Sequence, residues 1–181
     1  MRFIIELEQG WMMAKHASAK RVPEPACLVF KNPLVADGLV LFESTVLAVI
    51  AHHRQLTSQL PESGGILLGY RRGLHLHITH ATKPGPQDRA TRVSFVRKDP
   101  DHQAQALRMW KESGHTTDYL GEWHTHPEAI PNPSPTDHRA WGEIFGTSVA
   151  QHVFVIAGTS DVIWAGCADG EQISRLIPFS A

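Results

Sequence analysis

The stretch Glu122-Trp-His-Thr-His-Pro-Glu-Ala-Ile-Pro-Asn-Pro-Ser-Pro-Thr-Asp137 requires a strand, a stiff connection and a helix start, in that order. His124 and His126 are two residues apart, so an extended backbone projects both imidazoles from one face, where they can reach a single ion without distortion. Ser134-Pro135-Thr136-Asp137 reads as a helix start, with Ser134 as N-cap, Pro135 at the first helical position and Asp137 in the first turn. A strand end and a helix start can therefore meet over one ion. Two imidazoles and one carboxylate leave a fourth tetrahedral position open, as catalytic zinc requires, whereas structural zinc is usually closed by four ligands, often thiolates.

The wider pattern, His-x-His followed after seven residues by Ser134 and then by Asp137, resembles the JAMM (JAB1/MPN/Mov34) metallopeptidase motif. A distant second part, Glu62-Ser-Gly-Gly-Ile-Leu-Leu-Gly69, resembles the segment in which that family carries its catalytic glutamate. The order of elements extends the likeness from about Phe42 to about Gly166. It implies one Zn2+ ion on His124, His126 and Asp137, with Glu62 as general base and Ser134 helping to stabilise the tetrahedral intermediate. It also implies an α+β fold of the MPN/JAB, cytidine deaminase-like kind: a mixed, mostly antiparallel curved sheet flanked by helices, with zinc at its edge. The wording Gly121-Glu-Trp-His-Thr-His-Pro127 and the short length are similar to bacterial Prok-JAB proteins of ubiquitin-like conjugation operons, including the CBASS and Bil anti-phage systems. The implied substrate is a ubiquitin-like protein joined through its C-terminal glycine to a lysine or extended by a tail. E1-like and E2-like proteins of the same operon are the implied partners.

Bulk properties agree with a soluble enzyme. A chain of 181 residues suits one domain with one core, here expected over residues 26–181 after a lead-in at 1–25 that holds Lys15, Lys20, Arg21, Pro23 and Pro25. Lys plus Arg total 17 against 18 for Asp plus Glu, which gives the whole molecule no reason to bind nucleic acid or an acidic membrane. Cys27 and Cys167 are too few and too far apart for a disulfide framework, so free thiols in a reducing cytoplasm are expected. No run approaches the eighteen or so apolar residues of a membrane span, and Arg2 and Glu6 interrupt the N-terminus too early for a secretory signal.

Along the chain, 27–31 and 39–42 read as strands, and Ser44 as the cap of a helix with apolar positions Val46, Val49, Ile50 and Leu60. A hairpin follows, 66–70 returning as 74–80 around Arg71-Arg-Gly73, then a strand at 93–97. Asp99-Pro100 opens a second helix with Gln103, Leu107 and Trp110 on one face. The histidine strand 119–126, a helix 135–145 and strands 153–157, 162–165 and 173–177 complete the pattern. There is no internal repeat.

Spacing alone does not make a site, because His75-Leu-His77 and Asp88 reproduce the separation of His124, His126 and Asp137. In that copy Gly85 stands where the motif has Ser134, and no helical run follows Asp88, so His75 and His77, like His52, His53 and His80, read as structural. Glu128 is nearer to the histidines than Glu62 but lies in a proline-rich loop without motif support. Glu122 is a candidate to orient an imidazole, and Trp123 and Trp141 read as core. Residues 82–97, between Glu62 and the histidines, are a candidate clamp for a substrate tail. Three alternatives stay open: a non-catalytic MPN scaffold, a peptidase acting on a sulfur-carrier protein, and an iron oxygenase using the same two histidines and carboxylate.

Overall fold

The computed structural model describes residues 27–57, 59–170 and 172–179, and the expected lead-in at 1–25 lies outside them. Among the described residues, eleven strands and three helices follow in chain order: β1 Leu28–Lys31, β2 Leu39–Phe42, α1 Ser44–His52, β3 Gly64–Arg72, β4 His75–Ala81, β5 Arg89–Thr91, β6 Ser94–Val96, α2 Asp101–Glu112, β7 Asp118–Thr125, α3 Pro135–Phe145, β8 His152–Ala157, β9 Ile163–Asp169, β10 Gln172–Arg175 and β11 Ile177–Pro178. Nine of the strands form one mixed sheet in the order β10-β9-β8-β7-β3-β4-β2-β1-β11, antiparallel except for β2 with β4 and β7 with β8. β10 and β11 are separated by Leu176 alone, and this one stretch pairs with β9 on one side and β1 on the other. The sheet therefore curls back on itself and covers both of its edges, which removes the free backbone groups an open edge would expose.

Alternation along β8 shows how the sheet is covered. Val153, Val155 and Ala157 face a core with Val40, Phe42, Leu67, Leu120 and Trp123, closed by Val46 and Ile50 of α1. Phe154 and Ile156 face the opposite side, where Trp141 and Phe145 of α3 pack on them. A strand buried on both faces has to be apolar throughout, as His-Val-Phe-Val-Ile-Ala nearly is. The ring of Trp141 stacks on Phe154 at 4.2 Å and on Trp164 at 5.7 Å, which fixes α3 across the sheet. Among the described residues no helix is long and apolar enough to cross a membrane.

Several element-level expectations are corrected. Glu43, not Ser44, occupies the N-cap of α1 and makes no side-chain cap bond, because its carboxylate is committed to His77 at 2.6 Å. The helix ends at His52, so Leu60 is not one of its positions and is 43% exposed. The strand at 93–97 is half of a separate hairpin with β5, which was not foreseen. α2 turns His102 inward, while Gln103, Leu107 and Trp110 face solvent.

The inward turn of α2 has a polar cause. Asp88 is 3% exposed at its side chain and accepts hydrogen bonds from the backbone of Gly85 (2.7 Å), Lys98 (2.7 Å) and Asp99 (2.8 Å) and from Nε2 of His102 (2.9 Å). Burial alone would push this carboxyl up, but those bonds hold it down to about 2. A carboxyl depressed in the folded state contributes stability above its unfolded pKa and loses it as pH falls through the folded one. Asp88→Asn is expected to lower the unfolding free energy by about 2 kcal/mol at pH 7, with the deficit narrowing as pH falls from about 4 toward about 2. Urea unfolding at stepped pH measures it, and a deficit independent of pH contradicts this account.

Candidate metal centre

β7 delivers the two histidines by alternation. Glu122 and His124 emerge on the α3 side of the strand, and Trp123 and Thr125 on the opposite, buried side. A bulge in the β3–β7 ladder at Leu120 and Gly121 precedes them, and Gly121 has φ 147° with the backbone of Val153 so close that a Cβ would lie 1.8 Å from its carbonyl oxygen. Only glycine fits there. The backbone N–H of His126 donates to Ala157 at 2.9 Å, which extends the β7–β8 pairing just past the strand end.

Asp137 arrives from the other element. Ser134 is the N-cap of α3 in a full capping box: its hydroxyl accepts from the Asp137 backbone, and the Asp137 side chain accepts from the Ser134 backbone at 2.6 Å. Asp137 Oδ1 lies 3.3 Å from Nε2 of His124, and Oδ2 lies 3.4 Å from Nε2 of His126. The two Nε2 atoms are 3.1 Å apart, and the ligand atoms of all three residues fall within 4.8 Å of one another. Burial pushes the Asp137 carboxyl up, but the two imidazoles and the Ser134 hydroxyl hold it far below the usual carboxylate range, so it is an anion. Two imidazole nitrogens directed at each other and at one carboxylate put lone pairs face to face unless a cation or proton lies among them. The donor set, two nitrogens and one oxygen, fits a divalent transition-metal ion.

Glu62 reaches the same cavity from a third place, the loop before β3, and is 5% exposed. Its position is tied to the histidines through Thr125. Thr125 Oγ1 accepts from the backbone of Ser63 at 2.9 Å, and the Thr125 N–H donates back to the Ser63 carbonyl at 2.9 Å. Gln55 extends the tie, accepting from Thr125 at 3.3 Å and donating to the carbonyls of Leu60 at 3.0 Å and Arg92 at 2.9 Å. Burial pushes the Glu62 carboxyl up to about 7, opposed by the His126 imidazole and reinforced by Asp137 and Glu128. The cavity that joins these groups measures about 520 Å³, with Val93 and Phe95 of the hairpin on one wall and Ala140 and Trp141 of α3 on another.

The family description "Prokaryotic homologs of the JAB domain" matches residues 43–166, from the edge of α1 to β9 and across every residue of this site. The chain belongs to the Prok-JAB family. Among curated proteins, this Prok-JAB chain is 38% identical over 141 residues to the CD-NTase/cGAS isopeptidase of Escherichia coli (strain TW11681), covering 77% of this chain and 88% of that protein. It is 37% identical to the CD-NTase/cGAS isopeptidase of Vibrio cholerae over 81% of this chain and 92% of that protein. The solution structure of protein DSY2949 from Desulfitobacterium hafniense shares the fold, with a TM-score of 0.53 at 20% identity over 75% of this chain and 87% of that one.

Against the sequence reading, the Prok-JAB site holds Glu62, His124, His126, Ser134 and Asp137 around one cavity. Glu122 does not orient an imidazole: its carboxylate pairs with Arg97 and accepts from the Tyr119 hydroxyl at 3.1 Å. The carboxylate beside an imidazole is instead Glu128, 3.3 Å from Nδ1 of His126, where it can fix the orientation of that ring. The copy in β4 is dispersed, since His75 accepts from the Leu39 backbone, His77 pairs with Glu43, and Asp88 belongs to His102. Thr125 and Gln55 went unrecognised in the sequence. The one available signal was a Thr between two histidines, which alternation sends to the buried face.

The Prok-JAB chain is expected to bind one divalent metal ion per molecule. His126→Ala and Asp137→Ala should each reduce the bound metal to below about a tenth of that, since either change leaves two protein ligands. Native mass spectrometry and elemental analysis measure it. Full metal occupancy in Asp137→Ala contradicts the assignment of that carboxylate as a ligand.

Proposed function

We propose that residues 26–181 form a zinc-dependent isopeptidase domain that hydrolyses the bond after the C-terminal glycine of a ubiquitin-like protein, releasing it from a lysine or from a C-terminal extension. The observation that carries this reading is the buried Glu62 opening onto the same cavity as His124, His126 and Asp137. Zinc held by those three side chains supplies Lewis acidity to the reaction. The Glu62 carboxylate takes a proton from the attacking water and delivers it to the leaving amine, a task suited to a carboxyl whose surroundings raise it toward neutrality. The Ser134 hydroxyl donates to Asp137 Oδ2 at 2.6 Å in this structure, and a turn of that hydroxyl toward the substrate would give the developing oxyanion a donor.

The hairpin packs directly on the strand that follows Glu62. A Cβ on Gly64 would lie 2.6 Å from the Phe95 ring, so β3 and the hairpin meet closely beside the site. A Gly-Gly end needs the least room beside that wall. The β5–β6 hairpin offers an exposed edge to which an extended tail can add as a strand, and Arg89 and Arg92 beside it complete the clamp. Relatives named for CD-NTase/cGAS make an enzyme of that type the proposed conjugate partner. Proteins of the E1 and E2 type that build the conjugate are the proposed partners in the same operon, and the cytoplasm, as a reducing compartment, is the proposed location.

A non-catalytic scaffold of this fold would have no use for three converging donors, and an oxygenase would have none for the buried Glu62. Glu62→Gln is expected to retain zinc and to turn over Gly-Gly-terminated ubiquitin-like fusions at least about 10²-fold more slowly, with the cleaved bond identified by mass. Undiminished turnover in that variant contradicts the proposal.

A further inference from the structure

The β5–β6 hairpin buries little of itself: Arg89–Thr91 are exposed, and in Ser94–Val96 only Phe95 is partly covered. A two-stranded ribbon of that size does not hold its own position in water. Yet it is in register with the site, because the carbonyl of Thr91 accepts from the backbone N–H of Glu62 at 2.8 Å and that of Arg92 accepts from Gln55 at 2.9 Å.

A further tie lies at its base. Asp88, just before β5, gathers the backbone of Lys98 and Asp99 from the far side of the hairpin, and Asp99 Oδ2 reciprocates by accepting from the Gln87 backbone at 2.9 Å. The two stems are thus tied across by a pair of carboxylates. That knot is joined to β3 by a line of donors, and Arg97 beside it pairs with Glu122 of β7. The Ile66 N–H donates to Thr82 Oγ1 at 3.0 Å, the Thr82 hydroxyl donates to His102 Nδ1 at 2.5 Å, and His102 Nε2 donates to Asp88 Oδ2 at 2.9 Å. One tautomer satisfies every atom in the line. The Thr82 carbonyl also accepts from Nε1 of Trp123 at 3.0 Å, so the line ends on β3 and on the residue next to His124.

The wiring is that of a hydroxyl, imidazole and carboxylate hydrolase triad, but Thr82 is 1% exposed and His102 2%. No substrate reaches that hydroxyl, so the role open to the group is mechanical.

We propose that Thr82, His102 and Asp88 form a buried clasp that holds the β5–β6 hairpin over Glu62, which makes His102 a positioning residue for the substrate tail. The tail part rests on the isopeptidase reading given above, and the clasp itself does not. Losing the imidazole removes the line from the hairpin's base to β3 while leaving the Arg97–Glu122 pair, the metal ligands and the Thr125 tie in place. The hairpin then samples open positions, and the site loses the wall that the tail lies against.

The test is hydrogen–deuterium exchange on metal-loaded full-length protein, comparing wild type with His102→Phe, and with Asp88→Asn should the first variant not fold. Amides of residues 89–96 are expected to exchange at least about 10-fold faster, with β7 and β8 unchanged. In the same variant, KM for a Gly-Gly-tailed fusion should rise by more than kcat falls, at unaltered metal content. Unchanged exchange in the hairpin overturns the clasp, and so does an equal rise across β3, β7 and β8, which marks a general loss of stability. A hairpin that loosens with KM unaltered overturns the positioning role. Wild type that cleaves no fusion overturns the isopeptidase reading and the tail role with it, while exchange still decides the clasp.

Discussion

Between the two histidines, Thr125 turns to the buried face and, through its hydroxyl and its N–H, makes two hydrogen bonds to the backbone of Ser63, each 2.9 Å. This interaction makes a site out of residues that lie about sixty positions apart in the chain. β7 fixes His124 and His126 to each other by alternation, and the capping box fixes Asp137 to the start of α3. Neither locates Glu62. The Thr125–Ser63 pair does, since Ser63 follows Glu62 directly and has no freedom left once both of its backbone groups are taken. Thr125 is fully buried, where a lost hydrogen bond is costly.

The histidine strand, the capped helix carrying Asp137 and the run beginning at Glu62 were legible because each has a local signature: alternation, a Ser-Pro start and a Gly-Gly apolar segment. Closure of the sheet was not, because the pairing of Ile177 and Pro178 with β1 is a contact between the two ends of the described chain and leaves no short-range pattern. Gln103, Leu107 and Trp110 misled for an instructive reason. Their spacing does describe one face of α2, but a buried His102 bound to Asp88 and Thr82 decides which face turns inward. Apolar periodicity gives way where a polar group with fixed partners has to be buried. In the same way, Asp88 matches a metal ligand in spacing from His77, and only the fold reveals that it belongs to the hairpin.

Three features of the cavity act together. The anionic Asp137 and the two imidazoles form a pocket of donors suited to a cation. Glu62 stands within that field yet out of water, which raises it instead of lowering it. The hairpin and α3 stand on opposite sides of these groups and line the cavity with Phe95 and Trp141. Membership of the Prok-JAB family and similarity to the CD-NTase/cGAS isopeptidases agree with a hydrolytic use of this arrangement.

The convergence of two imidazoles and one carboxylate on a single ion is the claim from which the rest follows, and X-ray absorption at the zinc edge tests it most directly. The account predicts a shell of four nitrogen and oxygen neighbours at about 2.0–2.1 Å, with the outer-shell scattering of two histidine rings. A sulfur neighbour at about 2.3 Å, or a spectrum with no imidazole scattering, contradicts it.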